Sequence, residues 1–410
     1  MDAERALGEA VRNEGDRIRA ALAIRFRDLD LAEEAFGFAS LRAVETWTRD
    51  GPPRDPAAWL YAVGRRRAFD LGRRAKVRDT AVHDAPEPPP DPETILMAAF
   101  EPIPDERLRL IFICCHPALA PEARIALTLR TLCGLSVERL ARAWLTSEVA
   151  MLQRLTRAKR KIRDAHIRFE IPEPDAWRER LEAVLATLEI AYAQAYEDAA
   201  GASDAADLAG ETLRLSRLLC DLLPNEPEVL GLAAMIRLTE SRRPARLDAL
   251  GAMIPLSEQA VELWDGRLIA EAVALMRRAA ELGRSGPYQL MATIHMLHAA
   301  RRDTGVTAWA DVVRLYDILL SVRPSLVAQV NRAVAVGEAE GPAAGLAALA
   351  AVAGQERLAG WLPYQAALAG LSAKAGAHAG AAEALRNALS LAPAPAERLF
   401  LARRLGELSA

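Results

Sequence analysis

Two runs of cations in this chain are dense enough to hold a polyanion. The first, AAWLYAVGRRRAFDLGRRAKVR, sets Arg65, Arg66, Arg67, Arg73, Arg74, Lys76 and Arg78 against a single acid, Asp70. A solvated helix face usually mixes signs, whereas seven like charges repel one another unless an anion lies close. Nucleic acid is the natural anion. Trp59 and Tyr61 at the head of this run either stack on bases or belong to the core. The second run, QRLTRAKRKIR, carries Gln153, Arg154, Arg157, Lys159, Arg160, Lys161 and Arg163.

The elements around the second run explain how it would be presented. Gly134 ends one helix and Ser136 can cap the next. Leu140, Ala141 and Trp144 mark the inner face of that short helix. Leu145-Thr146-Ser147 then makes a tight turn, and Ser147 caps a longer helix whose inner face is Met151, Leu155, Ala158 and Ile162. This spacing predicts a helix-turn-helix. In such a motif the first residues of the second helix meet base edges in the major groove, and later cations meet phosphates. Ser147, Glu148, Gln153, Arg154 and Arg157 are therefore the expected base readers, because Gln suits adenine, Arg guanine and Glu the amino group of cytosine. Lys159, Arg160 and Lys161 are the expected phosphate contacts.

The first run lies on a helix opened by Asp55-Pro56, a capping acid and a first-turn proline. Before it, DLAEEAFGFASLRAVETW (residues 30–47) is apolar nearly all round. Leu31, Ala35, Phe38 and Leu41 line one side, and Phe36, Ala39 and Ala43 another. Such a helix is buried or meets a partner. Gly37 costs about 1 kcal/mol in a helix interior, which close packing at that point would explain.

The whole-chain balance hides these runs. A net charge of −3 over 410 residues taken alone disfavours a nucleic-acid binder. Yet residues 58–78 and 105–170 are each strongly basic, and residues 79–104 hold six acids, no Lys or Arg and seven prolines. Proline fixes φ and lacks an N–H, so this stretch reads as an extended linker between two small helical domains, 10–78 and 105–170. Ile171-Pro172-Glu173-Pro174 opens a third part, 171–410, rich in Ala and Leu. There Ala381, Leu385, Ala388 and Pro393 share offsets with Val312, Tyr316, Leu319 and Pro324. The two prolines lie about two 34-residue periods apart, which predicts degenerate tetratricopeptide-like hairpins stacked as a solenoid. The fold class expected is all-α.

Other chemistry is thin. His295 and His298 share a face of QLMATIHMLHAA without an acid or thiol to complete a metal site. Cys114 and Cys115 are adjacent, so they cannot both aim at one ion from a helix, and core packing is expected for them and for Cys133 and Cys220. Glu262-Leu263-Trp264-Asp265-Gly266-Arg267 reads as a junction between helices. No phosphate loop or nucleophile elbow occurs, so no catalytic residue, metal or cofactor is expected. The N-terminus is charged throughout and no apolar run is long enough to span a bilayer, which implies a cytoplasmic protein.

Residues 105–171 resemble the −35-reading region of a bacterial RNA polymerase sigma factor, through RLRLIF-x-CCHPAL, EA-x-x-ALTLR and QRL-x-RAKRKIR. The resemblance is to the extracytoplasmic-function group whose members carry a long helical-repeat extension, and it covers essentially the whole chain. It implies that Leu31, Glu34, Ala35, Phe38 and Leu41 bind RNA polymerase core. It implies that Trp59, Tyr61, Arg65, Arg66, Arg67, Arg73 and Arg74 hold the −10 element, and that the helix-turn-helix reads the −35 element of promoter DNA. A protein or peptide regulator would act at the extension. Two motifs depart from the family: Ala35-Phe36-Gly37-Phe38 stands where Ala-Leu-Gln-Asp is usual, and Tyr192-Ala193-Gln194-Ala195-Tyr196 where Phe-Asn-Glu-Gly-Tyr is usual. The competing readings are a stand-alone DNA-binding regulator and a repeat scaffold in which the sigma-like part serves only for interaction.

Overall fold

A computed structural model describes residues 3–79, 105–143, 146–197, 203–352 and 358–409. The linker over 80–104 and the residues Trp144 and Leu145 lie outside these. So do the side chains of Arg74, Lys76, Arg78 and Gln194–Tyr196. The described residues form an all-α fold, and the only β-type pairing among them is an isolated bridge between Leu247 and Met253. The chain divides into two compact units, 1–191 and 192–410.

The first unit opens with α1 (Ala3–Phe26), α2 (Leu29–Asp50) and α3 (Pro56–Asp79), which pack on one another. Local signals set their ends. Asp28 caps α2, its Oδ1 accepting from Asp30 N at 2.8 Å and Leu31 N at 3.1 Å. Gly51, at φ +81°, closes it through an N–H to Trp47 O. Asp55 accepts from Ala58 N at 3.0 Å, as its place before Pro56 predicts. The buried side of α2 is Ala32, Ala35, Phe36, Ala39, Ala43 and Trp47. Gly37 faces outward, and a Cβ there would meet nothing within 4 Å. The expected close packing therefore belongs to a different glycine. A Cβ on Gly64 of α3 would lie 3.2 Å from Leu22 Cδ1 and 3.5 Å from Ala35 O.

Next come α4 (Arg107–Cys114), α5 (Pro121–Leu132), α6 (Val137–Ala143), α7 (Glu148–Asp164) and α8 (Pro174–Glu197). They do not form a separate domain from α1–α3, because α1 packs on both α4 and α5. The boundary expected at residue 171 also falls elsewhere. The first half of α8 belongs to the first unit: Trp177 meets the Phe112 ring at 5.2 Å, and Arg180 donates to Phe112 O. The division comes at 191, inside that helix.

The second unit runs through α9 (Ser203–Leu222), α10 (Pro227–Glu240), α11 (Gly266–Glu281), α12 (Pro287–Ala299), α13 (Arg301–Thr304) and α14 (Trp309–Val322). It continues with α15 (Leu326–Glu340), α16 (Pro342–Ala350), α17 (Leu362–Lys374), α18 (His378–Ser390) and α19 (Pro395–Ser409). Proline in the first turn starts several of them, where its missing N–H costs nothing. Helices pack mainly on chain neighbours, as in a repeat array. Ala381, Leu385 and Ala388 are buried at the offsets the repeat predicts, as are Val312 and Leu319. An open array does not follow, however. Met253 N donates to Ala396 O at 3.0 Å, Arg403 pairs with Asp248 at 2.8 Å, and Arg404 pairs with Glu258. The segment after α10 thus holds the last helix. Sequence periodicity cannot signal such a return, because the contact spans more than 140 residues.

A candidate nucleic-acid interface

The two helices of the helix-turn-helix form where the spacing predicts, α6 ending at Ala143 and α7 beginning at Glu148. Gly134 adopts φ +70° after α5. Ser136 Oγ accepts from Arg139 N at 3.1 Å, and Ser147 Oγ accepts from Ala150 N at 3.2 Å. Met151, Leu155, Ala158 and Ile162 are all buried, and Ala141 is buried on the helix they cross. Burying this face turns the opposite face of α7 outward. Ser147, Glu148, Gln153, Arg157, Arg160 and Lys161 are exposed, and Arg154 is half-buried. At 100° per residue, Val149, Gln153, Thr156, Arg157 and Arg160 fall on the side away from the core. Val149 is 66% exposed and Leu152 55%, so this face mixes apolar groups with amide and guanidinium donors. Such a mixture suits a base edge, where thymine offers a methyl and adenine or guanine offers acceptors.

Lys159 is the exception among the expected phosphate contacts. Only 11% of its side chain is exposed, and it turns toward α2. Its Nζ lies 2.7 Å from Asp30 Oδ1 and 2.9 Å from Glu33 Oε2. Burial opposes its charge, and the Glu33 and Asp30 carboxylates outweigh that, holding its pKa above the usual lysine value. Arg163 adds a contact to Asp30 at 3.6 Å, and Arg130 of α5 one to Glu33 at 3.4 Å.

A second tie joins α1 to α5, the helix just before the helix-turn-helix. Arg19 is 8% exposed; its Nε donates to Thr131 O at 2.9 Å and its Nη2 to Leu132 O at 3.3 Å. Those carbonyls sit in the last turn of α5, where the helix leaves acceptors unsatisfied and its dipole favours a cation. The guanidinium lies 4.9 Å over the Phe36 ring. Phe36, one of the departures from the sigma-like pattern, is thus a platform for this cap. Phe38, the other aromatic in that run, lies 4.9 Å beneath Arg67, which also pairs with Glu34 at 2.9 Å.

Several expected contacts need correction. Ala35 is fully buried against α3, so it offers no surface to a partner. Tyr61 is 3% exposed, with Arg65 lying over its ring, and cannot stack on a base in this arrangement. Trp59 is half-buried and packs edge-on against Trp47 at 5.4 Å, the core role. Leu31 and Phe38 are half-buried, while Glu34 and Leu41 are exposed. Arg65, Arg66 and Arg67 are half-buried on α3, and Arg73 is exposed. The aromatic presented beside these cations is Phe69, 53% exposed, edge-on to Phe26 at 4.9 Å and 5.6 Å from the Arg25 guanidinium. Its spacing four residues after Arg65 and four before Arg73 places all three on one stripe, a signal available in the sequence.

The other candidate clusters are structural. Cys114 and Cys115 are fully buried and burial raises both thiols; Cys115 Sγ lies 3.4 Å from Thr128 Oγ1. Burial and then the nearby Arg180 and Arg124 push His116 down to about 4. In the second unit His295 Nδ1 lies 3.0 Å from Arg242 Nη2, and His298 packs edge-on to Trp309 at 5.2 Å. Trp264 is buried beneath Arg301, and Asp265 caps α11 by accepting from Arg267 and Leu268, which makes 262–267 the expected junction.

The chain is 42% identical over 400 residues to an uncharacterized protein of Rhizobium meliloti (strain 1021), covering 95% of this chain and 93% of the other. The two belong to one family. Residues 180–280 also match the family of unknown function DUF6596. Within the family's fold that stretch runs from inside α8 to the last turn of α11, so it takes in the Trp264-Asp265-Gly266 junction and leaves out the helix-turn-helix.

Proposed function

We propose that this protein is a sigma factor, a non-enzymatic cytoplasmic subunit that directs RNA polymerase core to particular promoters, with the second unit regulating it. The observation that carries the reading is the outward face of α7, where Gln153, Arg157 and Arg160 stand beside exposed Val149 on a capped second helix. The Arg65–Phe69–Arg73 stripe on α3 supports a second nucleic-acid contact, suited to stacking an unpaired base beside cations. On α2, the exposed Leu41 and Val44 with Glu45 alongside supply an apolar, acid-edged strip for the polymerase. No cofactor or metal enters this function.

Purified protein mixed with core RNA polymerase tests it directly. Co-elution together with run-off transcription from genomic fragments is expected. Sequence-specific DNA binding without core binding would instead establish a stand-alone regulator, a reading favoured by the engagement of Asp30, Glu33 and Glu34 in ion pairs. Neither activity would leave a scaffold. If Arg157 reads a base, Arg157→Ala weakens the best site by about 1–3 kcal/mol and relaxes preference at one position. A uniform loss over all sequences would make it a phosphate contact.

A further inference from the structure

We infer that the acidic edge of α2 is a built-in competitor for DNA: Asp30 and Glu33 occupy the cations on one flank of α7, and nucleic acid must displace them to use that flank. This rests on the DNA-binding reading of α7 and adds what limits it.

The flank is defined by helix geometry. Lys159 and Arg163 are one turn apart, beside the outward row of Thr156 and Arg160 and away from the buried row of Met151, Leu155, Ala158 and Ile162. A duplex lying along the outward row would bring its phosphates to this flank, where cations ordinarily meet them. Here two carboxylates already stand in that place. Lys159 Nζ is within hydrogen-bond distance of both Asp30 and Glu33, Arg163 reaches Asp30, and Arg130 reaches the other oxygen of Glu33. Carboxylate and phosphate oxygens are alternative acceptors for the same donors. Lys159 has no room for a phosphate while both acids hold it, being 11% exposed.

The contact is also built to yield. Asp30 is 56% exposed, so its pairs are hydrated and screened by salt. The Arg19 cap and the Asp16–Arg107 pair at 3.5 Å tie α1 to α5 and to α4 without any residue of α2. Removing the α2 acids therefore leaves those ties in place. By linkage, whatever draws the α2 edge away raises DNA affinity, and DNA frees that edge in turn.

The test titrates the full chain and its Asp30→Asn/Glu33→Gln variant with a labelled duplex of random sequence at low and high salt. The variant is expected to bind roughly 3- to 30-fold tighter at low salt, the size of a few partly exposed ion pairs, with the gap closing as salt rises. Equal affinities at low salt would overturn the inference while leaving α7 a DNA-binding helix. No binding by either protein would instead remove the DNA reading itself. Hydrogen exchange on the unaltered chain gives a second measure that does not depend on how the variant folds. Saturating duplex should speed exchange in the first turn of α2, and unchanged protection there would count against competition.

Discussion

Arg19→Ala is the sharpest probe of how the first unit is held together. The guanidinium places two charge-assisted hydrogen bonds, at 2.9 and 3.3 Å, on carbonyls of the last turn of α5, and lies over Phe36. Hydrogen bonds to charged groups contribute about 1.5–3 kcal/mol each, and the longer one counts at the low end. The cation–π contact adds about 0.5–1 kcal/mol. Water entering the vacated space recovers part of this by reaching the carbonyls. The expected net loss is about 3 kcal/mol, a large share of the 5–15 kcal/mol that typically holds a domain. Native-state hydrogen exchange read by mass spectrometry resolves the two units separately. The most protected amides of α2 and α5 should lose about a hundredfold in protection, since each 1.4 kcal/mol is tenfold, while Val229–Leu238 of α10 stay unchanged. Arg19→Lys, with a charge but no planar fork, should fall between. A loss below about 1 kcal/mol, or an equal loss in α10, would refute the assignment of Arg19 as the tie between α1 and α5.

Glycine substitutions should move stability in opposite directions by chemical denaturation. Gly37→Ala, in open space on α2, gains about 0.5–1 kcal/mol, whereas Gly345→Ala would set a Cβ 2.7 Å from Gly337 Cα and lose about 2 kcal/mol or more. Burial, then Arg242 and Arg301, push His298 down to about 4 from 6.5. Its unfolded form therefore takes up the proton first, and stability present above about pH 6.5 drains away as pH falls toward 4. The full drop is about 3 kcal/mol at 1.36 kcal/mol per unit, and His298→Phe should flatten that slope in the second unit. Native alkylation followed by mass spectrometry should modify the half-buried Cys133 first. Cys114, Cys115 and Cys220 should stay protected, the last with its thiol pushed up to about 11 by burial; labelling of Cys114 at the rate of Cys133 would contradict this.

Much of the local architecture is legible in the sequence. The capping residues Asp55, Ser136 and Ser147 act on amides within three residues of themselves. The inner face of α7 follows from one helix's own periodicity, and all four of its residues are buried. Less of the site is legible there. The face 153, 157 and 160 emerges because it lies opposite that inner face, but Lys159 sits at the edge between the two. Its role depends on Asp30 and Glu33, more than 120 residues earlier. Tyr61 and Phe69 show the same limit, since both sit among arginines and only packing against α1 and α2 buries one and leaves the other out.

What the sequence determined by itself is therefore the helical class, the helix ends, the two helices of the helix-turn-helix and the two basic runs, because each depends on groups a few residues apart. What only the tertiary structure decided is which side of α2 is core, that Phe36 supports the Arg19 cap, that α2 acids hold Lys159, and that α19 returns to Met253. Periodicity reports the polarity of one helix. It carries no record of what that helix faces, and a charge pair between distant segments leaves no local pattern to read.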